Sequence, residues 1–144
     1  MISLHICCKD IFKSASPAAK LAEIYLKRIK QFGWKIETIF YKKSTDQLAA
    51  LAKSAESAII LDASGKHFDS IHFSNLVEKK KRVLGKVDFF IGPSEGFPAD
   101  VLKKNTQQLL SLSAMTFPHK IVVALLLEQI YRSATIVDGH PYNK

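Results

Sequence analysis

A chain of 144 residues, 47% of them hydrophobic, is long enough to bury one self-sufficient core and too apolar to stay disordered. No apolar run reaches the length of a membrane span, and Met1 to Ile6 lacks the basic-then-apolar layout of a secretory signal, so a cytoplasmic home is expected. The net charge of +8 points to an anionic partner, nucleic acid first and a membrane surface second, although a merely soluble basic protein carries such a charge too.

Ile2 to Cys7 reads as a first strand. Cys7 and Cys8 are adjacent, which suits neither a disulfide framework nor a zinc site, so both are read as buried strand residues. Ser16-Pro17 combines a capping hydroxyl with a proline at the first helical position, and Leu21, Ile24, Tyr25, Ile29 and Phe32 recur at helical spacing before Gly33. Lys20, Lys27 and Lys30 fall on the opposite face. Trp34 to Tyr41, rich in aromatic and β-branched residues, predicts a second strand, and Ser44-Thr45-Asp46 caps a helix carrying Leu48, Leu51 and Ala52. Ala58 to Leu61 is a short, wholly apolar strand of the kind found at the centre of a parallel sheet, and residues 62–68 follow as a loop. Asp69 or Ser70 caps a third helix with apolar positions at Ile71, Leu76, Val77 and Val83 and the charge run Glu78-Lys79-Lys80-Lys81-Arg82.

The stretch from Val87 to His119 organises the rest. A buried strand, Val87 to Ile91, runs into the tight loop Gly92-Pro93-Ser94-Glu95-Gly96-Phe97. A short helix from about Pro98 leads to a second apolar run, residues 108–113, which ends in Ala114-Met115-Thr116-Phe117-Pro118-His119. Loops at the carboxyl ends of successive strands are where an open α/β sheet binds its ligand, so this is the candidate pocket. The last helix, from about Lys120 to Gly139, is apolar all round at its start and must be buried on more than one side, which a partner subunit would achieve. Strands alternating with helices predict an α/β fold, a parallel sheet covered on both faces, in one domain.

The 92–96 loop has neither the three-glycine dinucleotide spacing nor a Lys-Ser/Thr pair, so a pyrophosphate cradle is not expected; open amides there suit an adenine edge or a small polar ligand. His119 reads as a ligand-side or a structural histidine. Arg132 reads as half of a helical salt bridge with Glu128 or as a guanidinium held toward an anion. His140 and Tyr142 do chemistry only if the tail is pinned. Lys79 to Arg82 read first as a solvated helix face that adds long-range attraction for a polyanion. No nucleophilic triad and no metal-ligand spacing is present in the sequence.

With these residues assembled, the chain resembles the ribosomal RNA large-subunit methyltransferase H (RlmH, YbeA-like) family of the SPOUT superfamily. The resemblance rests on Leu61-Asp62 with Gly65-Lys66 and Asp69-Ser70, Phe90-Ile91-Gly92 with Glu95-Gly96, Leu112 to His119, Glu128-Gln129 with Tyr131-Arg132, and Pro141-Tyr142. It implies a mostly parallel sheet flanked by helices, a C-terminal trefoil knot and a homodimer. It also implies S-adenosylmethionine-dependent methylation of N3 of pseudouridine 1915 in 23S ribosomal RNA on the assembled ribosome. Carried over, Leu61, Gly92, Leu112, Ser113, Ala114, Met115, Thr116 and Phe117 would hold the cofactor. Arg132, His140 and Tyr142 would be catalytic, and His119, Lys66 and Lys144 would face the RNA. Pro93 replaces a glycine of the family's usual pair, Val123 a common arginine and Asn143 a common histidine, and Cys7-Cys8-Lys9 stands where the first strand usually ends Val-Gly-Lys. A non-catalytic RNA-binding protein of the same fold is the alternative; a flavodoxin-like module is what periodicity alone allows.

Overall fold

The computed structural model describes residues 1–7, 11–13 and 15–144; the expectations for Cys8 and Lys9 lie outside them. Five strands, β1 (Ile2–Ile6), β2 (Ile36–Phe40), β3 (Ala58–His67), β4 (Val87–Ile91) and β5 (Leu109–Ser111), form one sheet in the order β2-β1-β4-β3-β5. Every pairing is parallel, as strands separated by helices require. The helices are α1 (Pro17–Gln31), α2 (Ser44–Lys53), α3 (Ser70–Leu84), α4 (Ala99–Lys104) and α5 (His119–Val137).

Alternation along the strands divides the core in two. Ile2, Leu4, Ile6, Ile59, Val87, Phe89 and Ile91 face α1, α3 and α5, whereas Ala58, Ile60, Phe90 and Leu109 face Leu48 and Leu51 of α2 and Val101 and Leu102 of α4. Ser16 caps α1 by accepting the Ala19 amide, Asp69 caps α3 by accepting that of His72, and Gly33, Gly85 and Gly139 take positive φ just beyond α1, α3 and α5.

Several local expectations are corrected. Leu21, Ile24, Ile71 and Val83 are exposed, because the inner faces of α1 and α3 are built on Ala19, Ala22 and Ile29 and on Phe73, Ser74 and Val77. Helix α2 begins without a side-chain cap, Ala52 is exposed, and its buried anchor beside Leu51 is Gln47, whose amide donates to the carbonyls of His5 (3.0 Å) and Ile91 (2.8 Å). Strand β3 does not stop at Leu61. Leu110 pairs first with Leu61 and again with Lys66, so residues 62–65 bow out and the strand resumes through His67. At this crossing a Cβ on Gly65 would lie 2.6 Å from the Leu110 nitrogen, which leaves room for glycine alone.

Candidate functional site

The bow in β3 and the loops at the carboxyl ends of β4 and β5 form a cleft of about 320 Å³. Leu61, Gly92, Leu112, Ser113, Met115, Thr116 and Phe117 all line it, together with Pro93, Phe97, His119 and Val122. Of the residues expected to hold a cofactor, only Ala114 keeps its own atoms off the wall, although it lies in the same loop. The loops are shaped locally. Ser111 donates its hydroxyl proton to the Ser113 carbonyl (2.9 Å), and Ser113 Oγ accepts the Met115 amide (3.0 Å). Asp62 accepts the Ser64 amide (2.9 Å) and also its hydroxyl, a short turn that starts the bow in β3. His119 Nε2 donates to the Gly92 carbonyl at 2.8 Å, tying the start of α5 to the end of β4. Gly92 brings backbone into the cleft where a Cβ would press on the Phe97 ring at 3.0 Å. The walls are mostly apolar with few charges, a lining for a neutral planar group and not for a string of phosphates.

The remaining expected residues gather elsewhere, near the far end of α5. Glu128 Oε1 accepts two hydrogen bonds from Arg132, from Nη2 (2.7 Å) and Nε (3.1 Å), and a third from the Tyr142 hydroxyl (3.0 Å). The helical salt bridge is therefore real, and the tail is pinned to it. Arg132 Nη1 donates to Asn143 Oδ1 (3.1 Å), so Asn143 ties the C-terminal tail to the guanidinium. Tyr142 packs edge-on against Tyr131 (4.7 Å), and the His140 ring meets Phe32 at the end of α1 (5.9 Å). His140 Nδ1 accepts the Tyr142 amide at 3.2 Å. Partial burial, then the bonds to Glu128 and Tyr25, push the Tyr142 phenol far above its ordinary pKa, so it is protonated at neutral pH. Hydrogen bonding to Glu128 in turn raises that of Arg132.

Tyr25, read in the sequence only as part of the apolar face of α1, and Arg28 were not read as site residues. The Arg28 guanidinium lies over both Tyr25 (5.6 Å) and Tyr131 (5.8 Å), the latter packed on Tyr142, and only the spacing of Tyr25 and Arg28 on one helix hinted at it. Lys66 and Lys144 are exposed and lie in neither cluster; Lys66 places its ammonium 5.4 Å from the Phe68 ring. Val123 is fully buried in the core. Among the described residues no helix is long and apolar enough to cross a membrane.

A family model described as "Predicted SPOUT methyltransferase" matches residues 4–143. Among similar curated proteins, each named ribosomal RNA large subunit methyltransferase H, that of Caldicellulosiruptor bescii is 34% identical over 95% of this chain and 88% of its own. That of Wolinella succinogenes is 35% identical over 88% and 90%, and that of Sphingopyxis alaskensis 31% over 98% and 96%. A crystal structure of a candidate RNA methyltransferase from Bacillus anthracis superimposes with a TM-score of 0.52 over 99% of this chain and 97% of that one, at 14% identity, which speaks to the fold alone.

Proposed function

The chain belongs to the SPOUT methyltransferase family, and from that premise we propose that it methylates large-subunit ribosomal RNA, with S-adenosylmethionine as donor and N3 of pseudouridine 1915 as acceptor. The observation that carries the reading is the cleft: mostly apolar, formed beyond β4 and β5 beside the bow in β3, and within the size range of small-molecule sites. Its lining fits an adenosine. Leu61, Gly92 and the run Leu112 to Phe117 would hold it, with Ala114 joining Ser113 to Met115 off the wall, and a Cβ at Gly92 would press on the Phe97 ring that lines the cleft. Bound there, the cofactor supplies an electrophilic methyl group on a sulfonium.

Arg132 favours the N3 anion of the target base by placing a permanent charge beside it. A protonated phenol takes up a proton only by passing on its own, and the hydrogen bond from Tyr142 to Glu128 is such a path: the imide proton moves to the Tyr142 oxygen as the hydroxyl proton moves to the carboxylate. His140 orients Tyr142 through the tail amide, and His119, Lys66 and Lys144 face the RNA.

Arg132 lies thirteen positions beyond His119 on α5, roughly 20 Å at helical rise. Methyl transfer needs reacting atoms about 3–3.5 Å apart. One chain's Arg132 and Tyr142 therefore serve the cleft of a second copy, and the active species is a homodimer. Exposed apolar residues on the two helices concerned, Leu21 and Ile24 on α1 and Ile121 and Leu125 on α5, supply a surface for that copy. The tight crossing of Gly65 and Leu110 supports a threaded, knotted chain end. Calorimetry with S-adenosylhomocysteine should give a saturable signal, and mass spectrometry should find one added methyl on the target stem-loop. Silence in both leaves only a non-catalytic RNA-binding protein.

A further inference from the structure

We propose that the amino-terminal foot of the sheet, with the ends of α1 and α3, docks the phosphate backbone of the RNA substrate; this rests on the methyltransferase reading above. Lys35 and Lys86 stand one residue before β2 and β4, which flank β1, and the Ile2 amide donates to the Lys35 carbonyl (2.8 Å). Neighbouring strands are about 4.8 Å apart, so the two lysines leave the sheet within about 10 Å of each other. Lys30 in the last turn of α1 and Lys81 and Arg82 in the last turn of α3 join them. The Lys81 ammonium lies 3.5 Å from the centre of the Trp34 ring, which joins the end of α3 to the loop that follows α1.

Acids do not neutralise this edge. Lys81 meets Glu78 at 3.3 Å and Lys86 lies 3.7 Å from the buried Asp88, whereas Lys30, Lys35 and Arg82 are exposed with no acidic partner among the described residues. A run on one helix is ordinarily a solvated face; cations converging from two helix ends and two strand starts form a surface. The surface also adjoins the proposed chemistry. Phe32, two residues before Trp34, touches the Tyr131 (5.8 Å) and His140 (5.9 Å) rings, and Arg28 continues the positive strip toward Arg132. Folded RNA is gripped through its backbone and shape, and each lysine or arginine on a phosphate releases a counterion.

The test compares two triple charge reversals of equal net charge. Lys30→Glu, Lys35→Glu and Arg82→Glu alter the foot; the equally exposed Lys42→Glu, beyond the carboxyl end of β2, and Lys103→Glu and Lys104→Glu, in α4 on the opposite face of the sheet, lie outside it. The probe is the pseudouridine-containing stem-loop RNA, titrated over a range of salt. The foot variant should bind at least about tenfold more weakly, with a slope of log affinity on log salt shallower by about 2, while the control stays within about threefold. The wild-type emission of Trp34, the single tryptophan, should change on RNA addition as Lys81 is drawn away. Equal losses in both variants, no loss at the foot, or tighter binding to phosphatidylserine vesicles than to RNA would overturn the docking surface. RNA binding lost selectively at the foot in a protein that ignores S-adenosylhomocysteine would uphold the surface and sink the methyltransferase reading instead.

Discussion

The two ends of α5 are built by opposite means. At its start, strand ends, a glycine and the 112–117 loop wall a mostly apolar cleft, and one nitrogen of His119 holds Gly92. At its far end the main chain is ordinary helix and the proposed chemistry lies in side chains, with one carboxylate gathering Arg132 and Tyr142. A cleft closed around a glycine is hurt more by an added Cβ than by trimming one wall residue. A site made of side chains behaves the other way round. The difference teaches that binding and chemistry in this protein should come apart under substitution.

The sharpest separation is expected at Arg132. Arg132→Ala should lower methylation turnover by about a thousandfold, the upper range for losing one preorganised electrostatic group, while S-adenosylhomocysteine affinity measured by calorimetry changes less than about threefold. Unchanged turnover would dismiss the role. Tyr142→Phe keeps the ring on Tyr131 and deletes only the relay oxygen; single-turnover rates should fall about a hundredfold, again with cofactor affinity intact. A loss of only a few-fold would make the phenol a spacer.

The additions of a Cβ probe the other end. Gly65→Ala drives a methyl group into the Leu110 backbone, which cannot swing aside as a side chain can; urea unfolding should show a loss of about 2–3 kcal/mol. Gly92→Ala meets only the Phe97 ring, which can shift, so stability should hardly change while cofactor affinity drops about tenfold. If Gly92→Ala instead lowered turnover at saturating cofactor and left affinity alone, the division between the two ends would be wrong.

Much of this was legible locally. The caps at Ser16 and Asp69, the apolar runs at Ile2, Ala58 and Val87 and the loop at Gly92 depend on neighbours in sequence, and the structure has them where the pattern put them. The Glu128–Arg132 pair needed only the helical repeat. Illegible were contacts between segments far apart in the chain. Gln47 looks like a surface residue until the His5 and Ile91 carbonyls arrive to receive its amide. The same holds for the buried Asp88, whose Oδ1 meets His5 Nε2 at 2.9 Å and whose Oδ2 accepts the Ser57 hydroxyl. Burial alone would raise its pKa, but those hydrogen bonds outweigh it and leave the carboxyl below its ordinary range.

By itself the sequence determined the alternation of strand and helix, the helix starts and the family pattern from Leu61 to Tyr142, since each is written in residues close together or in fixed spacing. Only the tertiary structure decided that β3 resumes beyond its bow to pair twice with β5, and that Arg132 stands a helix length from the cleft it was expected to serve. The physical reason is the same for both. Hydrophobic pattern says which face of an element is buried, but where an element ends and what it meets depends on the chain that comes back to pack against it.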